Sequence, residues 1–143
     1  MDKEILYRFI RMELVQFATF DDDTTACDTD IEVSSKFLFA YNFDNDVMCC
    51  TASVTLTSAN EPLLKVELSS YFDIEPDSAK SLKVSGDFIA PAELLAQFAS
   101  LTYGAVRGVI FAKTIGSPLN RIILPPNNIS AIFQTSQRFC ERK

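Results

Sequence analysis

The side chains able to do chemistry are four cysteines, Cys27, Cys49, Cys50 and Cys140, a run of aspartates from Asp21 to Asp23, and scattered carboxylates, tyrosines and arginines. Histidine is absent. That removes the commonest general base and the commonest metal ligand, so triads and zinc hydrolase centres would need unusual substitutes. The cysteines form no CxxC pair and no second metal-type spacing. Cys49 and Cys50 are neighbours, and neighbours in a strand point to opposite faces, so they neither share one metal nor bridge each other. All four are expected to be reduced small hydrophobes. The aspartate run lacks the spacing of a calcium loop, and its like charges and turn-forming side chains make Asp21 to Asp30 a solvated loop. A pocket in a curved sheet could use Glu13, Glu67, Tyr71 or Arg107 as polar groups for a small molecule, but no spacing links them. The expectation is a protein without catalytic residues, metal or cofactor.

Charge excludes another class. Lys plus Arg number 13 against 19 Asp plus Glu, a formal charge of -6 that repels phosphate backbones, so nucleic acid is not an expected partner. Hydrophobic residues make up 48% of the 143 residues, with twelve Phe and four Tyr, enough to order one core and to exclude intrinsic disorder. A single domain over 1–143 is expected. The opening Met1-Asp2-Lys3-Glu4 has no basic region followed by an apolar one, so no secretory signal is read and the expected compartment is the cytoplasm.

The elements that would position these residues follow from periodicity. Ile5 to Phe20 is rich in β-branched and aromatic residues without Gly or Pro, which suits a long strand. Ile31 to Phe43 alternates, with Ile31, Val33, Phe37, Phe39, Tyr41 and Phe43 on one face and Glu32, Ser34, Lys36 and Asn42 on the other. Asp44-Asn45-Asp46 connects it to a second alternating run, Met48, Cys50, Ala52, Val54 and Leu56, which predicts a hairpin. After a turn at Ala59-Asn60-Glu61-Pro62, Leu64, Val66, Leu68, Phe72 and Ile74 alternate against Lys65, Glu67, Ser69 and Asp73. Four antiparallel strands result, with one apolar face and one wetter face. Leu82 to Ala90 is an unassigned connector. Pro91 then opens a helix of about six turns running to Lys113. Gly116 and Pro118 mark its end, Ser117 to Leu124 reads as extended, and Asn127 or Asn128 caps a second helix from Ile129 to about Glu141.

The long helix is greasy on two sides. Leu94, Phe98, Leu101, Ala105 and Ala112 cover one, while Leu95, Ala99, Val106, Val109 and Ile110 cover another. One four-stranded sheet shields one side, so the other is expected to meet a second copy of the chain through Leu94, Leu95, Phe98, Leu101, Ala105 and Val109. Gly104 and Gly108, four apart, permit close backbone approach. A membrane span is the rival, disfavoured by Arg107 and Gln97 inside a barely sufficient window, so no membrane insertion is expected.

The segment from Tyr103 to Phe133 then resembles the C-terminal half of the SecB protein-export chaperones and their SecB-like relatives. In that family a helix with Tyr, Ala and Arg ends at a Gly turn. Pro, an apolar segment with a Leu-x-Pro motif, Asn and a short Ala-Leu-Phe-type helix follow. Gly116, Pro118, Leu124, Pro126, Asn128, Ala131, Ile132 and Phe133 stand at those positions here. The resemblance implies an α+β fold, a four-stranded antiparallel sheet followed by one long and one short C-terminal helix, assembled as a dimer or dimer of dimers. It implies no enzyme but an ATP-independent cytoplasmic holdase for unfolded or export-destined polypeptides, or a dedicated chaperone of a toxin-antitoxin pair. The implied client groove contains Phe37, Phe39, Tyr41, Phe43, Ile129, Ile132, Phe133 and Cys140, the last four spaced along one helical face. Export-type members hand clients to the SecA translocase motor and usually continue into an acidic tail. This sequence closes on Arg138-Phe139-Cys140-Glu141-Arg142-Lys143, so general holding of unfolded chains is the expectation and the downstream partner stays open.

Overall fold

The structure, a computed structural model, describes residues 4–20, 31–58, 60–122, 124–125 and 128–141. The expected loop from Asp21 to Asp30, with Cys27, and Pro126 of the Leu-x-Pro motif lie outside them. Four strands form the main sheet: β1 (Tyr7–Thr19), β2 (Ile31–Asn42), β3 (Val47–Ser58) and β4 (Glu61–Ile74), antiparallel in the order β1-β4-β3-β2. The last three make a meander, and β1 pairs with the far side of β4, so β1 and β2 form the two edges. Alternation in β3 and β4 matches burial residue by residue: Met48, Cys50, Ala52, Val54 and Leu56 face inward with Leu64, Val66, Leu68, Phe72 and Ile74.

One long helix, α2 (Ala92–Lys113), lies across that inner face; a short helix, α1 (Pro76–Ser81), precedes it. Pro91 stands just ahead of α2 as its cap rather than inside its first turn, and its carbonyl accepts from the N–H groups of Leu94 and Leu95. Phe98 stacks on Phe72 with ring centroids 4.1 Å apart, and the Tyr7 ring meets Phe98 edge-on at 4.8 Å. Small side chains at Cys50, Ala52, Ser70, Ala99 and Thr102, all buried, let the helix settle close to β3 and β4. Leu94, Leu95 and Phe98, expected at a subunit interface, are therefore core residues of the single chain, each at most 4% exposed.

Two other expectations are corrected, and one unassigned stretch gains a structure. The connector from Leu82 to Ala90 is a hairpin of β5 (Lys83–Val84) and β6 (Asp87–Ala90). Its two-residue turn has Ser85 at φ 53 and Gly86 at φ 87, the left-handed pair that favours glycine. Residues Pro118–Arg121 form a 3-10 turn instead of an extended run. The second helix stops early: α3 spans only Ile129–Ile132, and Gln137–Phe139 form a strand, β7, that pairs with β6 to complete a three-stranded sheet in the order β5-β6-β7. Beyond Ile132 the sequence Gln134-Thr135-Ser136 is polar and holds moderate helix formers, and nothing continues the apolar stripe. Pairing with an open strand edge wins. Cys140, just past β7, is exposed and shares no helical face with Ile129.

Because Phe98 is fully buried at the centre of this packing, Phe98→Ala is expected to cost about 3–5 kcal/mol, measured as a lower urea midpoint at unchanged m.

Candidate functional site

The inward row of β2 is aromatic and only half covered. Phe37 lies 6.4 Å from the Tyr103 ring and 6.0 Å from Phe133, and Phe39 lies 5.5 Å from Phe133. Further along, Tyr41 stacks on Phe88 of β6 at 3.9 Å and meets Phe43 edge-on at 4.8 Å. The Phe139 ring of β7 closes the far side, 6.3 Å from both Tyr41 and Phe88. The result is a continuous aromatic wall beneath α3 and the small sheet. Ile129 is buried beneath α3, whereas Ile132 is half exposed on its outside. Thus Phe37, Phe39, Phe133 and the Tyr41–Phe43 pair are brought together, and Cys140 is not.

Two features of the helix hold the wall's lower end. The Tyr103 hydroxyl donates to the carbonyl of Pro125 at 3.1 Å, and Arg107 Nε donates to the carbonyl of Leu124 at 3.2 Å. These residues of the Tyr-to-Phe segment fix the chain that leads into α3. Arg107 is thereby a structural clamp on the inner side of the sheet. Glu13, Tyr71 and Glu67 instead belong to the outer side, opposite the buried Leu68 and Phe72. The four polar groups do not converge on a site.

The upper end is held by an ion-pair cluster with no signal in sequence spacing. The Tyr41 hydroxyl donates to Asp46 Oδ1, and the Lys83 ammonium donates to the same oxygen at 3.0 Å. Asp46 sits at φ 55 in the β2–β3 turn, a conformation that aspartate tolerates. Burial acts to raise the Asp46 carboxyl but is outweighed by the bonds from Tyr41 and Lys83, which hold it below the ordinary carboxylate range. Burial, with Asp46 close by, pushes the Tyr41 phenol far above its usual value, so it remains a donor. Cys50, buried in the core, is pushed up to about 12 by burial and is chemically silent as a thiolate nucleophile. Among the described residues no cluster of His, Cys, Asp or Glu is arranged to hold a metal.

Sequence reasoning found β1 as a strand but missed the apolar surface that it leaves exposed. Its residues opposite the buried row of β4 include Phe9, Met12 and Leu14, yet these remain 40%, 54% and 38% exposed because α2 does not reach them. Register shifts between Phe9 and Arg11 and between Leu14 and Gln16 break its alternation, and Ile10 and Val15 at those points are exposed too. The available signal was adjacent apolar residues, Phe9-Ile10 and Leu14-Val15, in a strand that would otherwise alternate. On α2 the uncovered face carries Leu101, Gly104, Gly108, Phe111 and Ile115 just beyond its end. Of the expected interface residues only Leu101, Ala105 and Val109 keep surface there. By length and composition α2 could cross a membrane, but half of that window is buried against its own sheet.

With this geometry, the fold is SecB-like. A SecB-like chaperone of Mycobacterium tuberculosis, solved in complex with a ChAD peptide from the HigA1 antitoxin, superposes with a TM-score of 0.54 at 12% identity, over 85% of this chain and 90% of that one. No family model matches the chain, and no curated protein matches it by sequence.

The sign of the Asp46 effect is testable. A carboxyl held low in the folded state stabilises the fold at pH values above its unfolded pKa, and that contribution fades as pH falls through the folded value. Asp46→Ala is therefore expected to cost about 2 kcal/mol at pH 7. In urea titrations its difference from the wild type should shrink steadily as pH falls below the ordinary carboxylate range.

Proposed function

We propose that this chain is an ATP-independent chaperone that holds extended, unfolded polypeptide along β2 and the aromatic wall beneath it. One observation carries the reading: among the described residues the outer edge of β2 pairs with no strand, while its inner row, with Phe43 just beyond it, presents four half-buried aromatic rings. An open edge offers backbone hydrogen bonds that ignore side-chain identity, so a client can add as a strand. Aromatic rings add large contact area at low entropy cost. Leu38, exposed on the opposite face of the same strand, extends the apolar surface available to such a client. The SecB-like fold supports this, as does the antitoxin peptide bound to the structural neighbour. That peptide also favours a second reading, a chaperone dedicated to one partner such as an antitoxin. A pull-down dominated by a single polypeptide would favour it. The compartment is taken to be the cytoplasm, where Cys49, Cys50 and Cys140 stay thiols.

The uncovered face of α2 and the inner row of β1 are assigned to a second copy of the chain. They adjoin where the Tyr7 hydroxyl donates to Gln97 Oε1 at 2.9 Å. Gly104 and Gly108 support this assignment. Each costs about 1 kcal/mol relative to alanine inside a helix. A Cβ at either would meet nothing within 4 Å, so packing inside the single chain does not require them. Close approach of another backbone does.

Phe111→Glu is expected to lower the native mass of the assembly to that of the monomer while leaving the circular dichroism spectrum unchanged; a wild-type chain that runs as a monomer at micromolar concentration would overturn the assignment. For the main reading, the assembled protein at substoichiometric ratio should delay light scattering by a client diluted from denaturant, without nucleotide. No delay at several-fold excess defeats it.

A further inference from the structure

The outer face of the main sheet, opposite α2, holds an open cleft of about 780 Å³ beside the β2–β3 turn. Its floor follows one register row across all four strands: Arg11 of β1, Tyr71 of β4, Cys49 of β3 and Ala40 of β2. Cys49, Ala40 and the neighbouring Val47 have short side chains, so the surface sinks between taller groups at its two ends. At the β1 end the Arg11 guanidinium lies 4.1 Å from the Tyr71 ring centroid, and stacking there leaves edge N–H groups to grip an anion. Among the described residues Arg11 joins no ion pair, whereas Arg8, one row away, is neutralised by Asp73 at 2.9 Å. Burial, with Cys49 beside it, holds the Tyr71 phenol above its usual value against the pull of Arg11, so the hydroxyl keeps its proton. At the other end Asp44 and Glu141 line the rim. Strand spacing of about 4.8 Å puts β2 about 10 Å from β4.

We propose that this cleft binds a small organic monocarboxylate with an apolar body, its carboxylate held by Arg11 and its body laid over Cys49, Val47 and Ala40. A guanidinium stacked on an aromatic ring and free of any ion pair is matched by a planar carboxylate, which it meets through two parallel N–H donors. The short apolar floor accepts a hydrocarbon or aryl group. Asp44 and Glu141 repel a second anionic group at the far end, so a dicarboxylate of similar length is disfavoured. The formal charge of -6 opposes any anion at long range. At physiological salt that repulsion is screened beyond about 8 Å, and the local contact decides. The cleft lies across the sheet from α2, apart from the aromatic row of β2 and from the face assigned to a second copy, so the inference stands independently of the chaperone reading.

The probe is 4-phenylbutyrate, titrated calorimetrically into the full chain, with the uncharged 4-phenylbutyramide as its match. The acid is expected to bind about tenfold more tightly than the amide, and Arg11→Gln to remove that advantage. Arg11→Lys, which keeps the charge but not the fork, should retain only part of it. The dicarboxylate 4-(4-carboxyphenyl)butyrate should bind more weakly than the monoacid. A second readout places the ligand. In the chain carrying Cys27→Ser and Cys140→Ser, Cys50 is buried and silent, so Cys49 is the thiol that alkylates. Bound 4-phenylbutyrate should slow its reaction with iodoacetamide, and Arg11→Gln should lower the rate with iodoacetate relative to iodoacetamide several-fold. Equal binding of acid and amide, an advantage that survives Arg11→Gln, tighter binding of the dicarboxylate, or alkylation of Cys49 unaffected by the bound acid each overturns the inference. So does the absence of binding by the acid at millimolar concentration.

Discussion

The structure depends on one long helix covering a sheet that is too wide for it. At 22 residues α2 is about 33 Å long and about 10 Å across, so it seals the middle of two strands and leaves the flanking ones. Strands β3 and β4, with small residues beneath it and the Phe72–Phe98 stack at the centre, become fully buried on that face. The flanking strands are left over. Burial of the middle strands fixes the helix, and the helix in turn decides which apolar side chains stay in water.

The two leftover edges are treated differently. On the β2 side the chain returns after the helix, and Tyr103 and Arg107 pin it so that Phe133 reaches Phe37 and Phe39. The β5–β6 hairpin and β7 roof the other end of the same strand through the Tyr41–Phe88 stack. This cover is partial and built from short pieces, so it can open without disturbing the core. Strand β1 receives no comparable cover. Near one end it meets the helix through the Tyr7 ring against Phe98 and the Tyr7 hydroxyl on Gln97.

Much of this was legible in the sequence because β2, β3 and β4 each have one dry face and one wet face, the condition under which alternation reports burial. The helix limits were readable from Pro91 and the Gly116–Pro118 pair. Which residues the helix hides was not: Leu94, Leu95 and Phe98 look the same in sequence as Leu101 and Phe111, and only the direction in which the helix crosses the sheet separates them. The C-terminal helix was overextended because β7 is created by its pairing with β6, a partner in a connector that itself carried no clear pattern. Long-range pairing between two short segments leaves no periodic trace. The same applies to Tyr41, Asp46 and Lys83, which meet only because a hairpin and a second sheet fold onto each other.

An open apolar edge is a hazard to its owner, since it pairs readily with the edge of another copy. Several features of the chain limit uncontrolled association. Register shifts bend β1 away from a flat template, and Arg8 and Arg11 place charge along that edge, the first paired with Asp73 at 2.9 Å and the second lying 4.1 Å from the Tyr71 ring centroid. On β2, Glu32 and Lys36 alternate with the aromatic row and keep the opposite face wet. A net charge of -6 adds general repulsion between copies. Together these discourage indefinite edge-to-edge growth. Exposed hydrophobicity is compatible with solubility here because the open strands are bent, charged or lightly roofed.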